Sequence, residues 1–271
     1  MLGQDVMRAS ERAGLEAHGL SHGELDITDA GAVAAAIAAI APDAIINCAA
    51  WTDVDGAESD EAAAFAINAT GAKVLADSGT RMIHVSTDYV FAGEKDGAYV
   101  ESDPVGPQSA YGRTKLAGDQ AVLAASPANA VVRTAWLFGV DGNNFVETML
   151  RLAADRGAVS VVDDQHGCPT FTGHLADALV ALATMPDAGG IHHCAGGGET
   201  TWHGFAAEIF DRTGTPCELS ATTSDQFVRP AKRPANSVLQ STRSETPKLP
   251  AWQTGLDEYI SARASTTGGR G

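Results

Sequence analysis

The chain has 271 residues, 44% of them hydrophobic, which is ample for a buried core in one large domain or two closely packed ones. Its 18 Lys and Arg against 34 Asp and Glu leave a formal net charge of −16, which argues against nucleic acid or an anionic membrane as partner. The four cysteines, Cys48, Cys168, Cys194 and Cys217, are scattered without a C-x-x-C, so neither zinc nor a disulfide framework is indicated, and reduced thiols in a cytoplasmic protein fit best.

Met1-Leu2-Gly3 opens directly into a helical pattern that ends near Gly14, a C-cap signal. Leu15–Leu20 reads as a short strand. Residues 30–41 form a helix so rich in alanine that it serves as packing material, with Asp29 as N-cap. The apolar run from Ala32 to Ala41 falls far short of the roughly 20 residues of a membrane span, and the N-terminus lacks the basic-then-apolar pattern of a signal peptide. Pro42-Asp43 break the helix, and residues 44–50 follow as a continuous apolar strand of the buried parallel type. Small residues at its end, Ala49 and Ala50, let a cofactor approach the backbone. A helix over 62–76, a strand over 82–86, a helix over 110–125 and a strand over 130–135 continue the alternation. Such repetition predicts an α/β protein with a doubly wound parallel sheet.

Past Trp136 the pattern is less regular: helix 144–156, strand 159–162, then helices near 172–184 and 202–213. The expected organisation is a dinucleotide-binding domain over 1–135, a smaller interleaved substrate lobe over 136–260, and a Gly/Ser/Thr-rich tail over 261–271 that should be disordered.

The chemistry concentrates between Val85 and Lys115. An apolar strand runs into Ser86-Thr87-Asp88-Tyr89-Val90-Phe91, and Tyr111-Gly112-Arg113-Thr114-Lys115 follows on a helix. The spacing puts Tyr111 and Lys115 on one helix face, a turn apart. A free tyrosine has a pKa of roughly 10, and a nearby lysine charge is expected to lower it toward the working range of a general acid. Thr87 would meet the pair from the strand end. These groups suit proton transfer at a carbonyl or alcohol oxygen.

Several blocks, in one order, carry a family resemblance: Ser86–Phe91, Tyr111-Gly112-Arg113-Thr114-Lys115-Leu116-Ala117-Gly118, Trp136-Leu137-Phe138-Gly139, Asn144-Phe145-Val146 and Asp164-Gln165-His166-Gly167-Cys168-Pro169-Thr170. Together they resemble the dTDP-4-dehydrorhamnose reductases, extended short-chain dehydrogenase/reductases with a Rossmann-like fold, over residues 1 to about 260. The resemblance implies hydride transfer from NADPH to the 4-keto group of a dTDP-linked 6-deoxyhexulose. Thr87, Tyr111 and Lys115 would be catalytic, with Tyr111 and Lys115 also meeting the cofactor beside Ser86.

Gly3 matches the third glycine of the family's phosphate-binding turn, so a first strand and two further glycines are expected upstream. Asp26 and Ile27 fall in the family's adenine-contacting segment. Ser21 and His22 stand where a NAD-preferring site carries an acid, which leans toward NADPH over the alternative, NADH. Some members use magnesium, but no ligand set here can be assigned to it.

On the substrate side, Trp136 sits just past a strand end and could stack on a sugar or base or simply pack. Asn144 reads equally as a helix cap or a substrate contact. The resemblance makes Gln165 and Thr170 substrate-side residues. Arg229, Lys232 and Arg233 form the strong basic cluster of an acidic chain, and Arg233 is the choice for the nucleotide diphosphate, which a guanidinium binds bidentately. His192-His193 point to opposite faces of a strand and cannot easily share a metal. A homodimer is the candidate assembly. The rival readings are a nucleotide-sugar epimerase or dehydratase, which would retain its cofactor, and a non-catalytic subunit like the regulatory β subunit of methionine adenosyltransferase, against which the intact Thr87, Tyr111 and Lys115 argue.

Overall fold

A computed structural model describes residues 1–268. Its centre is a parallel sheet of four strands in the spatial order Ala44–Asn47, Arg81–Thr87, Ala130–Thr134 and Gly190–His193. Register is fixed by apolar residues that alternate between the two faces. Ile83 and Val132 point to one side, where they pack with Leu2, Val6, Leu175 and Leu179 from the helices Leu2–Arg12 and Thr172–Ala183. Met82 and Val131 point to the other, against Val33, Leu75 and Val122 from the helices Ala30–Ile40, Ala72–Ala76 and Ala110–Ala125. Both faces are covered, as a parallel sheet requires. The fourth strand and the helix Thr172–Ala183 come from beyond Trp136, so the second half of the chain contributes to the first layer system.

A second core gathers Phe138, Val146, Met149, Phe205, Ile209, Trp252, Leu256 and Tyr259. Around it lie the helices Phe145–Arg156, Trp202–Thr213 and Trp252–Gly268 and a parallel pair of strands, Ala158–Val162 and Glu218–Thr222.

Two expectations differ from the structure. Residues 15–20 are not a strand. The sheet ends at Ala44–Asn47, which pairs with Arg81–Thr87 alone among the described residues. A cavity of about 770 Å³ separates its outer edge from Leu15–Leu20, so that segment has no backbone to pair with. The helix expected over 62–76 is instead built of Glu61–Phe65, a π-helical stretch Ala66–Gly71 and Ala72–Ala76. The last helix extends into the expected tail as far as Gly268, with Arg263 Nε donating to Glu147 at 2.6 Å; residues 269–271 lie outside the described residues.

The π-helical stretch presses on the helix that carries Tyr111 and Lys115. A Cβ at Gly118 would fall 2.1 Å from the carbonyl oxygen of Asn68, so only glycine permits this approach. Extra residues in a π turn push a carbonyl outward, and Gly118 accommodates it.

Candidate active site

Thr87 ends the second strand of the sheet, Asp88–Val90 makes a 3-10 turn, and Tyr111 and Lys115 lie on the helix Ala110–Ala125, capped by Ser109 accepting from the Gly112 amide. The structure brings the three together at the C-terminal end of the strands, where open parallel sheets bind ligands. The Thr87 hydroxyl lies beside the Tyr111 phenol and favours its ionised form. Thr87 donates to Asp88 Oδ1 at 2.9 Å. Tyr89 packs edge-on to Tyr111 with ring centroids 5.6 Å apart.

The electrostatics correct one expectation. Lys115 does not lower the Tyr111 pKa in this arrangement. Burial raises it well above the ordinary phenol value, with the neighbouring Thr87 only partly opposing and Asp88 and Asp119 adding to the rise. The reason is where the lysine points: its Nζ donates to the Val85 carbonyl at 2.7 Å and lies 3.3 Å from His84 Nε2. Burial depresses the Lys115 ammonium to about 8, against the pull of Asp119 and Cys48.

Sequence reasoning passed over several neighbours. His84 and Asn47 are buried beneath Lys115. Asp88 is buried, and burial raises its carboxyl to about 6. Asp119 and Arg133 form an ion pair at 3.3 Å with side chains 1% and 3% exposed. Each belongs to a strand or helix whose pattern reads as packing, so the available signal was only a polar residue at an inward position.

The remaining site residues divide. Gly3, Ile27 and Ala49 border the 770 Å³ cavity, whereas Thr87, Tyr111 and Lys115 do not. That cavity runs along the edge of Ala44–Asn47, with Gly3 and Ala49 both in its lining. Ala49 is exposed, Ala50 is half-buried, and a Cβ at Gly3 would meet nothing within 4 Å. The first amides of the helix Leu2–Arg12 lack intrahelical partners and suit a phosphate. Asp26 Oδ1 accepts from the Thr28 amide and hydroxyl at 2.9 and 2.7 Å. Ser86 is buried, and its hydroxyl has no hydrogen-bond partner among the described residues.

Trp136 takes a left-handed backbone with φ 47° and stacks on Trp202 with centroids 3.6 Å apart. A Cβ at Gly167 would strike its ring at 2.3 Å. Asn144 caps the helix Phe145–Arg156, accepting from Glu147 N at 3.2 Å and donating to Gly139 O at 2.8 Å. Gln165 donates to the Ser224 hydroxyl at 2.8 Å. Thr170 is fully buried, donating to Cys168 O at 3.1 Å and accepting from Gly196 N at 3.0 Å, an interior linchpin rather than a surface contact. Arg233 reaches Asp55 and lies 6.0 Å from the Tyr89 ring centroid, within the neighbourhood of Tyr111. His192 Nδ1 pairs with the Thr246 hydroxyl and His193 Nδ1 with the Tyr99 and Gln240 carbonyls, on separate partners. Among the described residues no group of three or more His, Cys, Asp or Glu is placed to hold a metal ion.

A Tyr-x-x-x-Lys helix meeting a strand-end hydroxyl on a doubly wound parallel sheet defines an extended short-chain dehydrogenase/reductase. Within that class the chain belongs to the RmlD substrate binding domain family, which it matches over residues 1–265. It is 44% identical to a dTDP-4-dehydrorhamnose reductase of Streptomyces griseus, covering 99% of this chain and 92% of that protein. It is 46% identical to a probable dTDP-4,6-dihydroxy-2-methyloxan-3-one 4-ketoreductase of Streptomyces antibioticus, over 88% and 83%. The dTDP-4-dehydrorhamnose reductase of Bacillus anthracis, solved in complex with NADP, superposes with a TM-score of 0.92 at 33% identity, over 96% of this chain and 95% of that one.

Proposed function

We propose that this protein reduces the 4-keto group of dTDP-4-dehydro-6-deoxy-L-mannose to give dTDP-L-rhamnose, with NADPH as reductant. The observation that carries the reading is the convergence of the strand-end Thr87 with Tyr111 and Lys115 of the helix Ala110–Ala125 in a chain of this family. Reduction consumes a proton, so the resting acid must hold one. The raised pKa of Tyr111 keeps it protonated at neutral pH. Tyr111 gives that proton to the oxygen developing on the sugar, Thr87 orients the same oxygen, and Lys115, its amine turned to Val85 and His84, is assigned to holding the nicotinamide ribose.

Gly3, Asp26, Ile27, Ala49, Ala50, Ser86, Tyr111 and Lys115 would hold NADPH, which supplies the hydride. Residues 1–135 are assigned to the cofactor and 136–260 to the sugar, with Trp136, Asn144, Gln165, Thr170 and Arg233 on the substrate side. Of these Arg233 is best supported, being partly exposed and beside Tyr89, and Thr170 least, being fully buried. No helix among the described residues is long and apolar enough to cross a membrane, and all four cysteines are free, which supports a cytoplasmic enzyme.

The test is NADPH oxidation by the purified protein with dTDP-4-dehydro-6-deoxy-L-mannose beside other keto-sugar nucleotides. Stoichiometric oxidation with release of NADP⁺ is expected, fastest with the named sugar. Turnover without net oxidation would point to an epimerase, and a faster rate with another dTDP-linked ketose would reassign the sugar.

A further inference from the structure

Beneath the active site, Ala49, Asn47, His84 and Lys115 form one chain of polar contacts whose donors and acceptors can be counted. The Ala49 amide donates to Asn47 Oδ1 at 3.0 Å. That contact fixes which end of the amide is oxygen, and it leaves Asn47 Nδ2 3.1 Å from His84 Nδ1. An amide nitrogen only donates, so His84 Nδ1 must offer a lone pair. His84 is fully buried, and burial together with the Lys115 charge holds its pKa well below the ordinary imidazole value. It is therefore neutral, and its single ring proton sits on Nε2, which faces Lys115 Nζ at 3.3 Å. Turning the Asn47 amide over would set two donors against each other at the Ala49 amide, so the chain has one consistent reading.

We propose that Asn47 and His84 are positioning residues that set the proton affinity of Lys115. Asn47 locks the imidazole as its Nε2–H tautomer, which shows Lys115 a donor where an ammonium needs an acceptor. An ammonium has three protons and no lone pair, so it finds one acceptor, Val85 O, and one opposed N–H. The neutral amine satisfies both, donating to Val85 and accepting from His84. Lys115 thus holds its proton weakly until a further acceptor reaches it. The other titratable groups around it are Asp119 and Tyr111 on its own helix, Cys48 past the first strand, and Arg133 on the third strand, paired with Asp119. Of these Asp119 favours the charge, and burial opposes it. The inference rests on the reading that Lys115 belongs to the reaction centre.

The experiment labels the protein with ¹⁵N-histidine and reads the two ring nitrogens of His84 by NMR, the signal being assigned by its loss in His84→Gln. The Nε2–H tautomer is expected in the wild-type protein; the Nδ1–H tautomer would overturn the proposal with no variant needed. In Asn47→Asp the carboxylate accepts from both the Ala49 amide and Nδ1–H, and the tautomer switches. In Asn47→Leu the lock is removed without adding charge. Both variants should raise the Lys115 pKa, followed through its side-chain shifts and the pH profile of kcat/KM, by about one unit or more. A tautomer switch that leaves Lys115 titrating where it does in the wild type overturns the proposal. Full activity in Lys115→Met alongside the expected tautomer would support the proton arrangement and sink the catalytic assignment of Lys115, so the two readings fail separately.

Discussion

Arg233 Nη2 donates to Asp55 Oδ2 at 3.0 Å, tying the basic segment after residue 228 to the helix Val54–Ser59. Asp55 also accepts from the Ala231 amide at 3.1 Å and lies 3.8 Å from Arg229. One carboxylate is shared between two guanidinium groups, so positive charge remains for a ligand beside Tyr89. Arg233→Ala should therefore weaken dTDP binding by roughly 10–100-fold, the equivalent of about 1.5–3 kcal/mol for hydrogen bonds to a charged group, with NADPH affinity nearly unchanged. Competition binding with dTDP alone measures this, and equal affinity in both proteins would remove Arg233 from the diphosphate site.

Tyr111→Phe removes the phenolic proton and keeps the ring against Tyr89. Turnover is expected to fall by roughly 10²–10⁴-fold, the usual loss of a general acid, while NADPH binding by fluorescence titration stays close to wild type. Near-full activity would show that another group protonates the sugar.

The Arg133–Asp119 pair has both side chains at 3% exposure or less, and Arg133 also lies 5.1 Å from the Phe91 ring centroid. Arg133→Ala leaves Asp119 charged in the interior and should destabilise the protein by about 3–5 kcal/mol. The double variant Asp119→Leu/Arg133→Met removes both charges and should recover much of that loss. Urea unfolding of the three proteins decides the matter; a double variant as unstable as the single one would mean that packing, not charge, is what Arg133 supplies.

Asp88 provides a pH test. Burial raises its carboxyl from 3.8 to about 6 in the folded protein. The folded state therefore binds the proton more tightly than the unfolded chain. Ionised Asp88 costs stability at all pH values above about 6, and the cost disappears as pH falls through 6 toward 3.8. A gap of that size corresponds to about 3 kcal/mol at roughly 1.4 kcal/mol per pKa unit. Asp88→Asn should thus raise Tm at pH 7.5 and lose that advantage by pH 4. A gain of equal size at both pH values would refute the assignment of the effect to the carboxylate.

The sequence alone determined the parts of this protein that depend on short-range pattern. The helices expected over 110–125 and 202–213 span Ala110–Ala125 and Trp202–Thr213, because apolar spacing and caps such as Ser109 and Thr201 are local signals. The Tyr111/Lys115 spacing and the strand-end Thr87 were legible for the same reason, and the ordered blocks named the family. Tertiary structure decided what depends on partners far along the chain. Leu15–Leu20 has strand-like residues but no neighbouring backbone across the cavity, and a strand exists only where its amides and carbonyls are paired. Glu218–Thr222 became a strand by pairing with Ala158–Val162. Thr170 and Asn144, polar residues in irregular segments, proved to be held by internal hydrogen bonds. The direction of Lys115 was decided likewise: a turn of helix puts it near Tyr111, but burial against the second strand turns its amine to Val85 and His84. Desolvation then sets both pKa values, because the charge of a group in a sequence is a constant and its cost is a property of where the fold puts it.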